Sequence, residues 1–266
     1  MVRASANHEG RQTVYEVTVG TGQRAPALCI HGPAATRAVW RKQAALAEER
    51  PIAALDLSGH GDSNNIEAES GWETLSAYSS DVATVVQELD ANLLVGHSLG
   101  AMVAVHALAN RSIAIDGLVI IGAGVRVPVS RDILTLARED REALREFLLE
   151  PGRLLFDPQQ PTVETVEEAI DGCQPGVVRR DFFTCQRANI SDELSGIDIP
   201  TLVLAGEFDR LTPPEQCAKA AATLPRGLFR TIGDAAHLPM LEQPTAMHEI
   251  LREFFEDPAA TIPASA

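Results

Sequence analysis

Five short runs, PALCI (26–30), IAALDL (52–57), NLLVG (92–96), GLVIIGAG (117–124) and PTLVLAG (200–206), are apolar on both faces. A strand of that kind has no side to give to water, so it belongs in a sheet covered by helices on both faces. Between the runs lie stretches of helical pattern at 38–49, 74–89, 99–109, 214–224 and 245–255. Strands alternating with helices predict βα units and a parallel sheet. TVYEVTVG (13–20) differs: it alternates with period two and reads as an early antiparallel strand. With 266 residues, the chain is sized for one large α/β domain or for a domain carrying an insertion.

The alternation breaks between about residues 126 and 196, where the pattern is helical throughout. RDILTLAREDREALREFLLE (131–150) reads as one amphipathic helix with Ser130 as N-cap, ended by Pro151-Gly152. A second helix starts at Pro161-Thr162 and stops at Gly172, and a third fits 177–190. An all-helical insertion after a sheet strand reads as a cap over one end of the sheet. The expected division is a core of 1–125 and 197–256, a cap of 126–196, and a disordered tail of small and polar residues, 257–266.

Composition narrows the partners. A net charge of −15 argues against nucleic acid and anionic membrane. No apolar run reaches 18 residues and the first residues show no apolar signal segment, so a cytoplasmic protein is expected, as monomer or homodimer. Cys29, Cys173, Cys185 and Cys217 have no metal-binding spacing, and a Cys173–Cys185 disulfide is left open. There is no Gly-rich phosphate loop and no metal cluster, so no cofactor and no metal are expected, only a small-molecule substrate.

LLVGHSLGAMVA (93–104) contains Gly96-His97-Ser98-Leu99-Gly100, a G-x-S-x-G that closes an apolar strand and opens a helical segment. That is the context in which the motif presents a nucleophilic serine on a sharp turn. The helix start also aims N–H groups at charge developing there. A serine needs a base, and the base an orienting group. TLVLAGEFDRLTP (201–213) presents Asp209 after a strand, and TIGDAAHLPMLEQP (231–244) presents His237 before a helix. The order Ser98, Asp209, His237 is that of triads on this kind of sheet. Glu207 is a weaker candidate acid, Asp234 reads as a turn residue and His97 as packing. His8, His106 and His248 read as solvent-facing or core.

At this point the chain resembles the α/β-hydrolases. HGPAATRAVW (31–40), DLSGHGDS (56–63), VGHSLGAMVA (95–104), AGEFDRLTP (205–213) and DAAHLPMLEQP (234–244) follow in the family's order and span nearly the whole chain. The resemblance implies a mostly parallel eight-stranded sheet with helices on both faces, and a helical cap after the sixth strand. It implies the same triad, an oxyanion hole containing the Leu99 N–H, structural or pocket-edge roles for His31 and His60, and Trp40 packed under the oxyanion loop. In such relatives the residue after His-Gly usually gives the second oxyanion N–H. Here it is Pro33, which has none. Either Ala34 takes its place, or Leu99 acts alone or with the Thr36 hydroxyl.

A serine at the elbow, where relatives that cleave carbon–halogen bonds or epoxides carry aspartate, points to acyl chemistry. A carboxylic ester of a small to medium substrate is the expected target, with lactone and thioester cleavage on the same machinery. C–C cleavage, a lyase or perhydrolase reaction, and a silent ligand-binding role remain alternatives. Leu154, Leu155, Phe156, Phe182 and Phe183 are candidates for an apolar lid, and Leu211, Leu238 and Met240 for its base. Arg37, in the oxyanion loop, is a candidate to face the pocket, and Trp40 to border it. Arg179, Arg180 and Arg187 are expected to pair with Glu164, Glu167 and Glu168 on the cap rather than to hold a substrate carboxylate.

Overall fold

The computed structural model describes residues 1–19 and 24–264. Gly20, the last residue of the expected early strand, and Ser265-Ala266 of the expected tail lie outside the described residues. The strands are β1 (Val2–His8), β2 (Arg11–Val17), β3 (Ala27–Ile30), β4 (Ile52–Leu55), β5 (Leu93–His97), β6 (Gly117–Ile121), β7 (Thr201–Gly206) and β8 (Gly227–Ile232). They form one sheet in the order β1-β2-β4-β3-β5-β6-β7-β8. β2 runs antiparallel to both its neighbours, and every other pairing is parallel. This is the mostly parallel eight-stranded sheet expected.

Side chains alternate between two layers, as the pleat requires. From β3, Leu28 and Ile30 join one core with Tyr78, Val82, Met102 and Val105 of α1 (Trp72–Leu89) and α2 (Leu99–Asn110). Ala27 and Cys29 join the other, with Trp40, Leu251 and Phe254. The last two lie on α10 (Pro244–Glu256). The expected helix at 38–49 is a 3-10 helix, Arg37–Leu46. Trp40, Gln43 and Leu46, three residues apart, face inward together because that helix has three residues per turn.

β1 was not legible. RASAN lacks the branched and aromatic residues that mark strands. It forms because Glu9 (φ 50) and Gly10 (φ 78) supply the two positive φ angles of a tight hairpin, which pairs it with β2. The segment 131–150 is two helices, α3 (Arg131–Glu139) and α4 (Arg141–Leu149). Asp140 divides them: it is extended (φ −151) and its side chain accepts the Ala143 N–H, so it caps the second helix. α5 (Gln160–Asp171), α6 (Val177–Arg187) and α7 (Ser191–Ser195) complete a helical insertion between β6 and β7. α8 (Pro214–Thr223) packs beside β7 and β8, and α9 (Pro239–Glu242) precedes α10.

Residues 257–264 are also more ordered than their composition implied. Asp257 caps α11 (Pro258–Thr261), Ile262 is buried, and its carbonyl accepts Arg226 Nη2 at 2.6 Å. One apolar residue in a polar stretch was enough to anchor it. All four cysteines are buried and free, so Cys173 and Cys185 are not bridged. Among the described residues, no helix is long and apolar enough to cross a membrane.

A buried polar network fastens the insertion to α1 and to the loop between β4 and α1. Asp181 on α6 accepts Tyr78 Oη–H at 2.7 Å and contacts His60 Nε2 at 2.8 Å. Arg180 donates to the Tyr78 hydroxyl, to Asn65, and to the carbonyls of Ser58 and Ile66. The cap arginine therefore pairs with the core and not with the acidic run. Glu168 instead pairs with Arg41. Removing one partner of a buried charged network leaves the others unsatisfied, so Asp181→Ala should lower the unfolding free energy in urea by about 3–5 kcal/mol. A loss below about 1 kcal/mol would rank the network with exposed ion pairs.

Candidate active site

The strand order reverses between β3 and β5, because β4 lies on one side of β3 and β5 on the other. Crevices form outside the carboxyl ends of strands at such a switch point. His31 and Gly32 follow β3, Ser98 follows β5, Asp209 follows β7 and His237 follows β8. One fold feature thus gathers residues spread over more than 200 positions.

Ser98 sits between β5 and α2 with φ 51 and ψ −117. Such an angle costs a residue with a side chain on the order of 1–3 kcal/mol, and the surrounding fold holds it. Both motif glycines are explained by close approach. A Cβ on Gly96 would lie 2.5 Å from Ala101 Cα, and one on Gly100 would lie 2.4 Å from the Ile30 carbonyl oxygen. The turn can be this tight only without those atoms. Ser98 is buried, and its Oγ has no hydrogen-bond partner among the described residues. The Leu99 N–H, first in α2, has no acceptor within the helix.

His237 Nδ1 and Asp209 Oδ2 are 2.8 Å apart, and both residues are buried. The other oxygen, Oδ1, accepts the N–H groups of Leu211 and Thr212, each at 2.9 Å. A carboxylate held by two amides accepts a proton-bearing Nδ1, which leaves Nε2 as the free acceptor of the ring. Glu207 is exposed, so Asp209 and not Glu207 stands beside the histidine. His97 is more than packing: its Nε2 contacts the His237 carbonyl at 2.9 Å and its ring centroid lies 4.6 Å from that of His237. Burial pushes its imidazole well below the usual range, so it is the neutral donor. His31 is neutral for the same reason, and its Nε2 accepts the Leu57 N–H at 3.1 Å.

Ser98 and His237 line one cavity with about 620 Å³ of empty space, counting its open end. Pro33, Ala34, Phe182, Leu154, Leu211 and Leu238 line it. Val127, Pro128, Val129, Ile133, Leu148 and Val166 line it too and were not foreseen, since an apolar residue on a loop or a helix gives no hint of which cavity it faces. Gly122 was also missed. It has φ +59, and a Cβ there would lie 3.1 Å from His237 Cε1.

Several expected pocket residues lie elsewhere. Arg37 turns away: its guanidinium binds Asp56, Glu16 and Asp62, because the fully buried Asp56 carboxylate requires a counter-charge. Trp40 is core and does not reach the cavity. Phe183 points to the outer side of α6, where Arg138, Arg179 and Arg187 lie 5.2–5.9 Å from its ring centroid. Neighbours on a helix diverge by about 100°, so Phe182 and Phe183 cannot share a face. Leu155 and Met240 are core, and Phe156 stacks on Phe208 at the surface. Thr36 Oγ1 accepts the Ala38 N–H as a helix cap, so the hydroxyl is not in the cavity.

Pro33 and Ala34 form the turn after His31-Gly32, and Ala34 has φ +52. Proline followed by a positive φ is the pattern of a type II turn. Ala34 thus adopts a conformation usually left to glycine, in a loop that borders Ser98.

A model of the alpha/beta hydrolase family matches residues 27–250. The chain belongs to the alpha/beta hydrolase family. The domain-containing protein VTE7 of Arabidopsis thaliana, of the same family by its name, is 28% identical over 176 residues, 61% of this chain and 52% of its own. A pimeloyl-[acyl-carrier protein] methyl ester esterase of Neisseria meningitidis serogroup A is 25% identical over 248 residues, 85% of this chain and 75% of its own. The chain therefore spans about half of the plant relative and three quarters of the bacterial one. Among solved structures, a thermophilic esterase of Thermogutta terrifontis superposes with a TM-score of 0.80 at 28% identity, over 96% of this hydrolase and 98% of that chain.

Proposed function

We propose that this alpha/beta hydrolase is a serine carboxylesterase that acts on a small to medium, uncharged substrate. Ser98 Oγ attacks the ester carbonyl and passes its proton to His237 Nε2. The tetrahedral oxyanion collapses, the leaving alkoxide takes that proton, and an acyl group stays on Ser98. Water, deprotonated by the same nitrogen, then releases the acid. Asp209 holds the imidazole in the required tautomer and stabilises its charged form. The observation that carries this reading is the buried Asp209–His237 pair opening on the same cavity as Ser98. The esterase relatives agree with it.

The cavity argues for the substrate class. Among the described residues no charged side chain lines it, and the one arginine expected there is engaged elsewhere. Burying a substrate carboxylate against such a wall costs at least about 2–3 kcal/mol. p-Nitrophenyl butyrate should therefore turn over about 100-fold faster than p-nitrophenyl hemisuccinate, and a fluorophosphonate should phosphonylate Ser98 with release of fluoride, so that the protein gains the mass of the reagent less HF. Folded protein that takes up no phosphonate would favour a ligand-binding role instead.

The oxyanion is assigned to the N–H groups of Leu99 and Ala34. Ala34 borders the cavity and the Thr36 hydroxyl is used as a cap, which favours the backbone donor. Pro33→Gly should accordingly give no gain in kcat on p-nitrophenyl butyrate, and a small loss as the turn loosens. A gain of about 10² would mean that the hole had a single donor.

A further inference from the structure

The loop that carries His237 is held by the helical insertion as well as by the core. The N–H groups of His237 and Leu238 both donate to the Leu154 carbonyl, at 3.1 and 3.2 Å, and Leu154 belongs to the helical insertion. The His237 carbonyl is held by His97. The remaining amide of this stretch, Ala236 N–H, donates to Glu242 Oε2 at 2.8 Å. The second oxygen of the same carboxylate, Oε1, accepts the Phe156 N–H at 2.5 Å, again from the insertion. Glu242 is half-buried on α9, is absent from the cavity wall and touches no reacting atom. Burial raises its carboxyl above the usual range, and the amides of Ala236, Phe156 and Asp157 oppose that rise.

We propose that Glu242 is a positioning residue for His237, spanning the loop before it and the insertion with one oxygen on each. The inference rests on the reading of His237 as the base. In this structure Ser98 Oγ and His237 are not yet hydrogen-bonded, so the encounter depends on where the loop holds the ring. A displacement of about 1 Å can cost up to about 10² in rate. Asp209 still restrains the ring when Glu242 is lost, so the cost should be smaller than that of losing a triad member. Glutamine has the same shape but only one acceptor oxygen, so Glu242→Gln breaks one of the two bonds and sets an NH₂ against an N–H.

The test uses the full chain and p-nitrophenyl butyrate, with active sites counted by fluorophosphonate labelling carried to completion. Glu242→Gln should lower kcat per labelled site about 10-fold with KM within about twofold. An unchanged kcat per labelled site overturns the proposal, even if the fraction of folded or labelled protein falls, because that is what a merely structural role would do. If the glutamine variant does not fold, Glu242→Asp carries the same test, since it keeps the charge but is too short to span both amides. Ser98→Ala in parallel separates the two levels. If it stays active, the reading of the site fails; if it is inactive while Glu242→Gln is unaffected, only the role of Glu242 fails.

Discussion

On the proposed mechanism Ser98→Ala should lose about 10⁶ in kcat, because the members of such a triad would act as a unit and the serine would supply the attacking atom. The fold should not suffer. Ser98 Oγ makes no hydrogen bond among the described residues, so its removal breaks none and relieves a buried, unsatisfied hydroxyl. The unusual φ of Ser98 is kept, since alanine has the same Cβ and the same strain. Calorimetry should then show an unchanged or raised midpoint, by about 2–4 °C if 1 kcal/mol is recovered. A variant that keeps more than about a thousandth of wild-type turnover would show that another group attacks.

Asp209→Asn should slow turnover by about 10⁴. The variant's Oδ1 can still accept the Leu211 and Thr212 amides. Its NH₂ would then face His237 Nδ1 and donate to it, which moves the ring proton to Nε2. That nitrogen could no longer take the serine proton, so the geometry would survive and the tautomer would be wrong. Glu207→Gln is the control. Glu207 is exposed, and its substitution should change kcat by no more than about twofold. If the two variants exchange these outcomes, the acid has been misassigned.

Short-range chemistry made much of this legible in the sequence. Runs apolar on both faces determined a covered, mostly parallel sheet, and the motif around Ser98 lies where a strand must become a helix. Asp209 could be named because it stands in a loop just after an apolar run, and His237 because it stands in a loop just before a helix, in the chain order such triads follow. The early strand β1 escaped because its existence depends on a partner strand and on two positive φ angles, not on its own side chains.

What only the tertiary structure decided was the direction of side chains. Arg37 was drawn to a buried aspartate 19 positions away and so left the pocket. Phe182 and Phe183 parted to different faces of α6, and Glu242 joined Phe156 to Ala236, 80 positions further on. Binding pockets depend on such choices. Each is settled by desolvation and packing against residues distant in the chain, to which a local pattern of polar and apolar positions is blind.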